Sequence, residues 1–160
     1  MSQEERFNSR DRSYSAWHRR LSTQRFVGIE CAQTLAMIDL DASLYVEYDD
    51  KTKEPLALIE TARDTGQNYK TATVTAKLAA RANLPAFVLL YSLSNHPNPA
   101  DIQWQDIEKF RAQMLFPRQE PWKIFTPDEW CRYLVQLRKK TASKIDDELN
   151  AYRKAFGESL

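Results

Sequence analysis

The sequence predicts an α/β protein with a mixed central β-sheet flanked by helices and a helical C-terminal part. Three observations carry this. Two apolar, strand-like runs (residues 35–48 and 55–61) flank a polar turn. An alanine-rich segment over residues 70–83 leads into the continuous apolar run Ala86-Phe87-Val88-Leu89-Leu90-Tyr91. Thr126-Pro127-Asp128-Glu129 then has the residues of a capped helix start. A hairpin followed by a helix that crosses to a buried strand builds a mixed sheet. Residues 1–12 read as a polar tail, 13–137 as one α/β domain and 138–160 as a charged helical extension.

Residues 13–21 allow a short helix with Tyr14, Trp17 and Leu21 on one stripe and His18, Arg19 and Arg20 around its side. Residues 26–35 fit strand or helix. Asp49-Asp50-Lys51-Thr52-Lys53 is the hairpin turn. Gly66 and Asn68 mark a loop over 64–69, and the helix after it sets Val74, Leu78 and Ala82 four residues apart. Two prolines make residues 92–99 a loop, and 102–114 read as strand then helix. The last helix carries Trp130, Tyr133, Leu134 and Leu137. Trp104, Trp122 and Trp130 are expected to pack in the interior.

Composition excludes several classes. The 160 residues are 42% hydrophobic and hold only three glycines, with no Gly-rich phosphate loop. A net charge of +1 sets up no global attraction to nucleic acid, so any such contact needs a local patch. His18, Arg19 and Arg20 are one candidate, and Arg138-Lys139-Lys140 with Lys144 a second, although cations also suit the C-terminal half of a helix. Cys31 and Cys131 stand alone, which argues for reduced, partly buried thiols and against zinc. No run is apolar enough to span a membrane, and a cytoplasmic location is the expectation.

The chemistry lies in the hairpin. A period of two puts Asp39, Asp41, Ser43, Tyr45 and Glu47 on one face of the first strand. Leu56, Leu58, Glu60 and Ala62 share a face of the second. Acids in adjacent strands suit either a solvated face or a hard-cation site. If Glu60 lies beside Asp39 or Asp41, the oxygen donors favour Mg²⁺ or Mn²⁺. Such a metal activates a nucleophile and stabilises charge on a phosphodiester.

On Trp17-His18-Arg19, Ile38-Asp39-Leu40-Asp41, Glu47-Tyr48 and Pro55-Leu56-Ala57-Leu58-Ile59-Glu60, the chain resembles small phage and bacterial members of the PD-(D/E)XK, restriction-endonuclease-like, nuclease superfamily. The resemblance covers roughly residues 14–91. It implies an αβββαβ-type core and Mg²⁺-dependent DNA cleavage leaving 5′-phosphate and 3′-hydroxyl ends. Asp39, Asp41 and Glu60 would hold the metal, and His18, Arg19 and Arg20 would contact DNA. The family lysine is absent, because Ala62 stands in its place. Some relatives recruit a cation or amide from the following helix, which makes Lys70 the first substitute and Arg63 and Gln67 the next. An inactive nuclease fold that binds nucleic acid or a protein partner is the alternative reading. A structural or assembly subunit whose exposed aromatic C-terminal half makes an oligomer interface is a third, and a homodimer is among the expected partners.

Overall fold

The computed structural model describes Ser13, Trp17, residues 23–36 and residues 40–157. Asp39, His18, Arg19, Arg20, Tyr14 and Leu21 lie outside the described residues. The chain forms two compact units, Met1–Asp39 and Leu40–Leu160. In the first, the segment left open between strand and helix is helical, as α1 (Gln24–Val27) and α2 (Ile29–Gln33). They meet at Gly28, whose φ of 80° suits a residue without a β-carbon. The Trp17 and Phe26 rings sit 6.3 Å apart.

The second unit holds β1 (Ala42–Glu47), β2 (Lys53–Arg63), α3 (Thr73–Ala82), β3 (Ala86–Asn98), β4 (Asp101–Phe116), β5 (Lys123–Phe125) and α4 (Pro127–Phe156). The five strands form one mixed sheet in sequence order. β2 and β3 run parallel across the α3 crossover, and the other neighbours are antiparallel. The expected hairpin and buried parallel strand are both present, but the first strand is shorter than expected and starts at Ala42. Asp50 shapes the turn by accepting from the Thr52 N–H (2.9 Å) and hydroxyl (2.6 Å). These bonds hold its carboxyl below the usual range.

Alternation along β2 and β3 sorts the core into two layers. Ala57, Ile59, Phe87 and Leu89 face α4, where Trp130 and Leu137 complete the cluster. Trp130 lies between Phe87, Phe110, Phe125 and Tyr133, with ring centroids 5.6–6.2 Å apart. Burial there raises the Tyr133 hydroxyl above its ordinary pKa, with Glu120 adding to the shift. On the other face Leu58, Val88 and Leu90 meet the α3 side through Ala72 and Ala79. Thr126 caps α4 reciprocally with Glu129, as its sequence predicts.

Several expectations change. Val74, Leu78 and Ala82 face solvent, and the side of α3 laid on the sheet is Thr75 and Ala79. Small residues on that side let the helix sit close to the sheet, which a search for large apolar positions overlooks. Residues 92–98 and 102–114 are strand throughout, because β3 and β4 pair out to Asn98 and Asp101. They run past the end of β2 as a two-stranded ribbon, which leaves Trp104 exposed rather than packed. Both cysteines are exposed free thiols rather than partly buried ones. Helix α4 continues unbroken through residue 138, so Arg138, Lys139 and Lys140 are mid-helix. Arg153 and Lys154 are the cations in its last turn. Among the described residues, no helix is long and apolar enough to cross a membrane.

Candidate functional site

Glu60 is the centre of the site. It belongs to the strongly apolar strand β2, pairs in register with Val88 on β3, and is 6% exposed. A carboxylate at that depth needs compensation, because desolvation penalises the charge strongly. Two side chains supply it. Lys70 Nζ lies 3.3 Å from Oε2, and the Thr75 hydroxyl donates to Oε1 in a short hydrogen bond. Thr75 reaches the strand because Ala72 and Ala79 let α3 pack closely there.

Lys70 precedes α3 instead of starting it; the helix begins at Thr73. Its loop is braced from below. Arg111 on β4 forms a two-pronged ion pair with Asp64 (Nε 3.0 Å, Nη2 2.8 Å) and donates to the Gln67 carbonyl at 2.6 Å. Its guanidinium lies 4.9 Å from the Trp122 ring centroid, and the Trp122 indole N–H donates to the Asn68 carbonyl at 3.0 Å. Asp64 also accepts from the Gly66 N–H at 2.9 Å, where φ is +83°. The Arg111 hydrogen bonds, followed by the Gly66 one, hold the Asp64 carboxyl below its ordinary pKa. The chain between β2 and α3 is thereby fixed, and Lys70 with it.

The remaining expected residues fall as follows. Asp41 precedes β1 and is exposed. Its Oδ2 accepts from the Thr61 N–H at 2.7 Å and lies 3.3 Å from the Thr61 hydroxyl. It closes the end of the β1–β2 ladder, where a strand carbonyl would otherwise accept. Ala62 shares the Glu60 face and packs near Val88, Leu90 and Trp122. Gln67 turns back on its own loop, donating to the Arg63 carbonyl at 2.9 Å and accepting from the Thr65 N–H at 2.7 Å. Arg63 is exposed at the end of β2. Among the described residues no group of three or more His, Cys, Asp or Glu side chains is placed to hold a metal.

Thr75, Asp64 and Arg111 had no part in the sequence reading of the site, and Trp122 entered it only as a residue expected to pack in the interior. Asp64-x-Gly66 carries a local turn signature that marks Asp64. The stripe Ala72, Thr75, Ala79 was the available sign of a close helix–sheet contact. Nothing local marks Arg111, which is 47 residues from its partner.

Comparison with known proteins adds no relative: no family model matches the chain, no curated protein matches it, and no solved structure matches it.

Proposed function

We propose that this chain is a divalent-metal-dependent DNA nuclease of the PD-(D/E)XK type in which Lys70 takes the place of the lysine lost at Ala62. The observation that carries the reading is the buried Glu60 carboxylate with the Lys70 ammonium 3.3 Å away. The strand–helix–parallel strand arrangement around it supports the reading as one part of the αβββαβ-type core the resemblance implies, although among the described residues two strands rather than three precede the crossover helix. In this reading Glu60 is the family's Glu, and Lys70 approaches it from the segment ahead of the crossover helix. Fold likeness alone does not establish chemistry, so the weight rests on these side chains.

The donors suit a hard cation, being carboxylate oxygens without sulfur or imidazole. Glu60 and Asp41 would hold it. A bound Mg²⁺ or Mn²⁺ would stabilise charge on the scissile phosphodiester and activate the attacking water. In this reading Thr75 orients Glu60, Lys70 offsets negative charge at the phosphate, and the Asp64–Arg111 brace keeps Lys70 in reach. His18, Arg19 and Arg20 would contact the DNA backbone. Arg138, Lys139 and Lys140 lie on α4, across the sheet from Glu60, and would not serve the same strand of substrate.

The test is cleavage of linear and branched DNA in Mg²⁺ and in Mn²⁺ by wild type, Glu60→Gln and Lys70→Ala, with circular dichroism on each. Metal-dependent cleavage that both substitutions remove from a folded protein supports the proposal. Undiminished cleavage by pure Glu60→Gln refutes it.

Two observations favour a second reading, a nuclease fold that binds without cutting. Ala62 fills the lysine position with a packed methyl group, and the Asp41 carboxylate is engaged by Thr61. Retained DNA or protein binding with no turnover in either metal would select it.

A further inference from the structure

Helix α4 runs on after its last buried residue, Thr141, and its apolar stripe runs with it. Ile145, Leu149, Tyr152 and Phe156 follow at spacings of four, three and four, one narrow face of a helix. Leu149 is 45% exposed, Tyr152 63% and Phe156 73%. The Tyr152 and Phe156 rings rest 4.7 Å apart and extend the stripe as one aromatic surface. Apolar residues at this spacing form the seam of paired helices.

From this pattern we infer that the end of α4 pairs antiparallel with the same segment of a second copy of this chain. The spacing of the stripe is the same from both ends. About the midpoint between Asn150 and Ala151, Leu149 mirrors Tyr152 and Ile145 mirrors Phe156. A two-fold axis there sets each small apolar residue against an aromatic one of the other copy. The charges agree with this register. Asp146 and Arg153 are seven residues apart and lie on the same flank of the stripe. An antiparallel two-fold brings like flanks together, so Arg153 of each copy meets Asp146 of the other. That flank also opens on a groove of about 820 Å³ beside the β1–β2 turn, walled by Glu47, Asp49, Asp50 and Glu54. This chain's own Asp146, Leu149 and Arg153 line the same groove, and the acids in excess of that one Arg153 complement the Arg153 that a second copy brings.

Sedimentation equilibrium on the full chain tests the pairing. Wild type is expected to pass from monomer to dimer with rising concentration, and Tyr152→Glu with Phe156→Glu to remain a folded monomer. Asp146→Arg and Arg153→Asp should each raise the dimer Kd by roughly tenfold or more, and the two together should restore it. In a parallel pair Arg153 would meet Glu148, so Asp146→Arg alone would have no effect, and that result overturns the inference. So does a wild type that stays monomeric at millimolar concentration, whatever else covers the stripe. A dimer that survives the Tyr152/Phe156 substitutions, or a double charge swap that fails to recover, also overturns it.

Discussion

Lys70 Nζ lies 3.3 Å from Glu60 Oε2, ten residues along the chain, across a loop held by Arg111 from β4 and by Trp122 just ahead of β5. The pair couples the stability of the fold to the proposed chemistry, because the cation needed to bury Glu60 is also the one nearest to it. Lys70→Ala leaves the carboxylate in an apolar layer with Thr75 alone. The expected loss is about 2 kcal/mol, below the usual figure for a broken buried pair because Lys70 is partly exposed. Urea denaturation of the two proteins measures it. An unchanged midpoint would mean that water replaces the lysine at no cost.

The proposed function makes the position of the cation exchangeable. Lys70→Ala should lower DNA cleavage by roughly a hundredfold or more, the effect of removing one charge aimed at a transition state. Ala62→Lys in the Lys70→Ala background should recover part of that loss, since residue 62 shares the face of Glu60. Single-turnover cleavage in Mn²⁺ measures the recovery. A double variant as slow as Lys70→Ala would argue that no cation at either place assists the reaction.

The Asp64–Arg111 pair predicts a stability difference confined to one pH range. Asp64 titrates below its ordinary 3.8 in the folded protein, first through the Arg111 hydrogen bonds and then through the Gly66 N–H. A depressed folded-state value means that stability is present above 3.8 and lost as pH falls through the folded value. Wild type should therefore exceed Asp64→Asn in stability at neutral pH, and the two should converge in stronger acid. Thermal melts across the acid range follow this. A constant gap at all pH values would place the effect in packing rather than charge.

Trp130 is the residue on which the α4 layer depends, since four aromatic rings and the apolar face of β2 and β3 meet it. Trp130→Ala should cost about 3–5 kcal/mol and lower the melting temperature by many degrees. Trp130→Phe should cost less, because the ring stack is partly kept. A Trp130→Ala protein as stable as wild type would show that α4 does not close this core.

The hairpin, the buried strand over 86–91 and the start of α4 were legible because each depends on neighbours in the chain. Alternation along 55–61 follows from the pleat, and the Thr126–Glu129 capping box closes within one helical turn. The acid at Glu60 was equally legible, as a charge in a run otherwise fit for burial. Length and partner were harder. Nothing in residues 92–109 shows that they stay in strand beyond the reach of β2, since β3 and β4 stabilise one another there. The buried face of α3 was not legible, because Val74 and Leu78 are the larger apolar residues whereas Thr75 and Ala79 are the ones laid on the sheet.

Local chemistry along the chain was sufficient to place an acid in a buried strand, and it was the resemblance that singled out Lys70 as a candidate cation. Whether those groups meet depends on contacts between residues distant in sequence. The β2–β3 register turns Glu60 toward α3, the small residues of α3 admit Thr75, and Arg111 draws the Lys70 loop down. Asp41 goes to Thr61 because the end of the β1–β2 ladder leaves an N–H to be satisfied. Sequence periodicity assigns a residue to a face, but side-chain partners follow from packing and from the backbone groups left open by the assembled sheet.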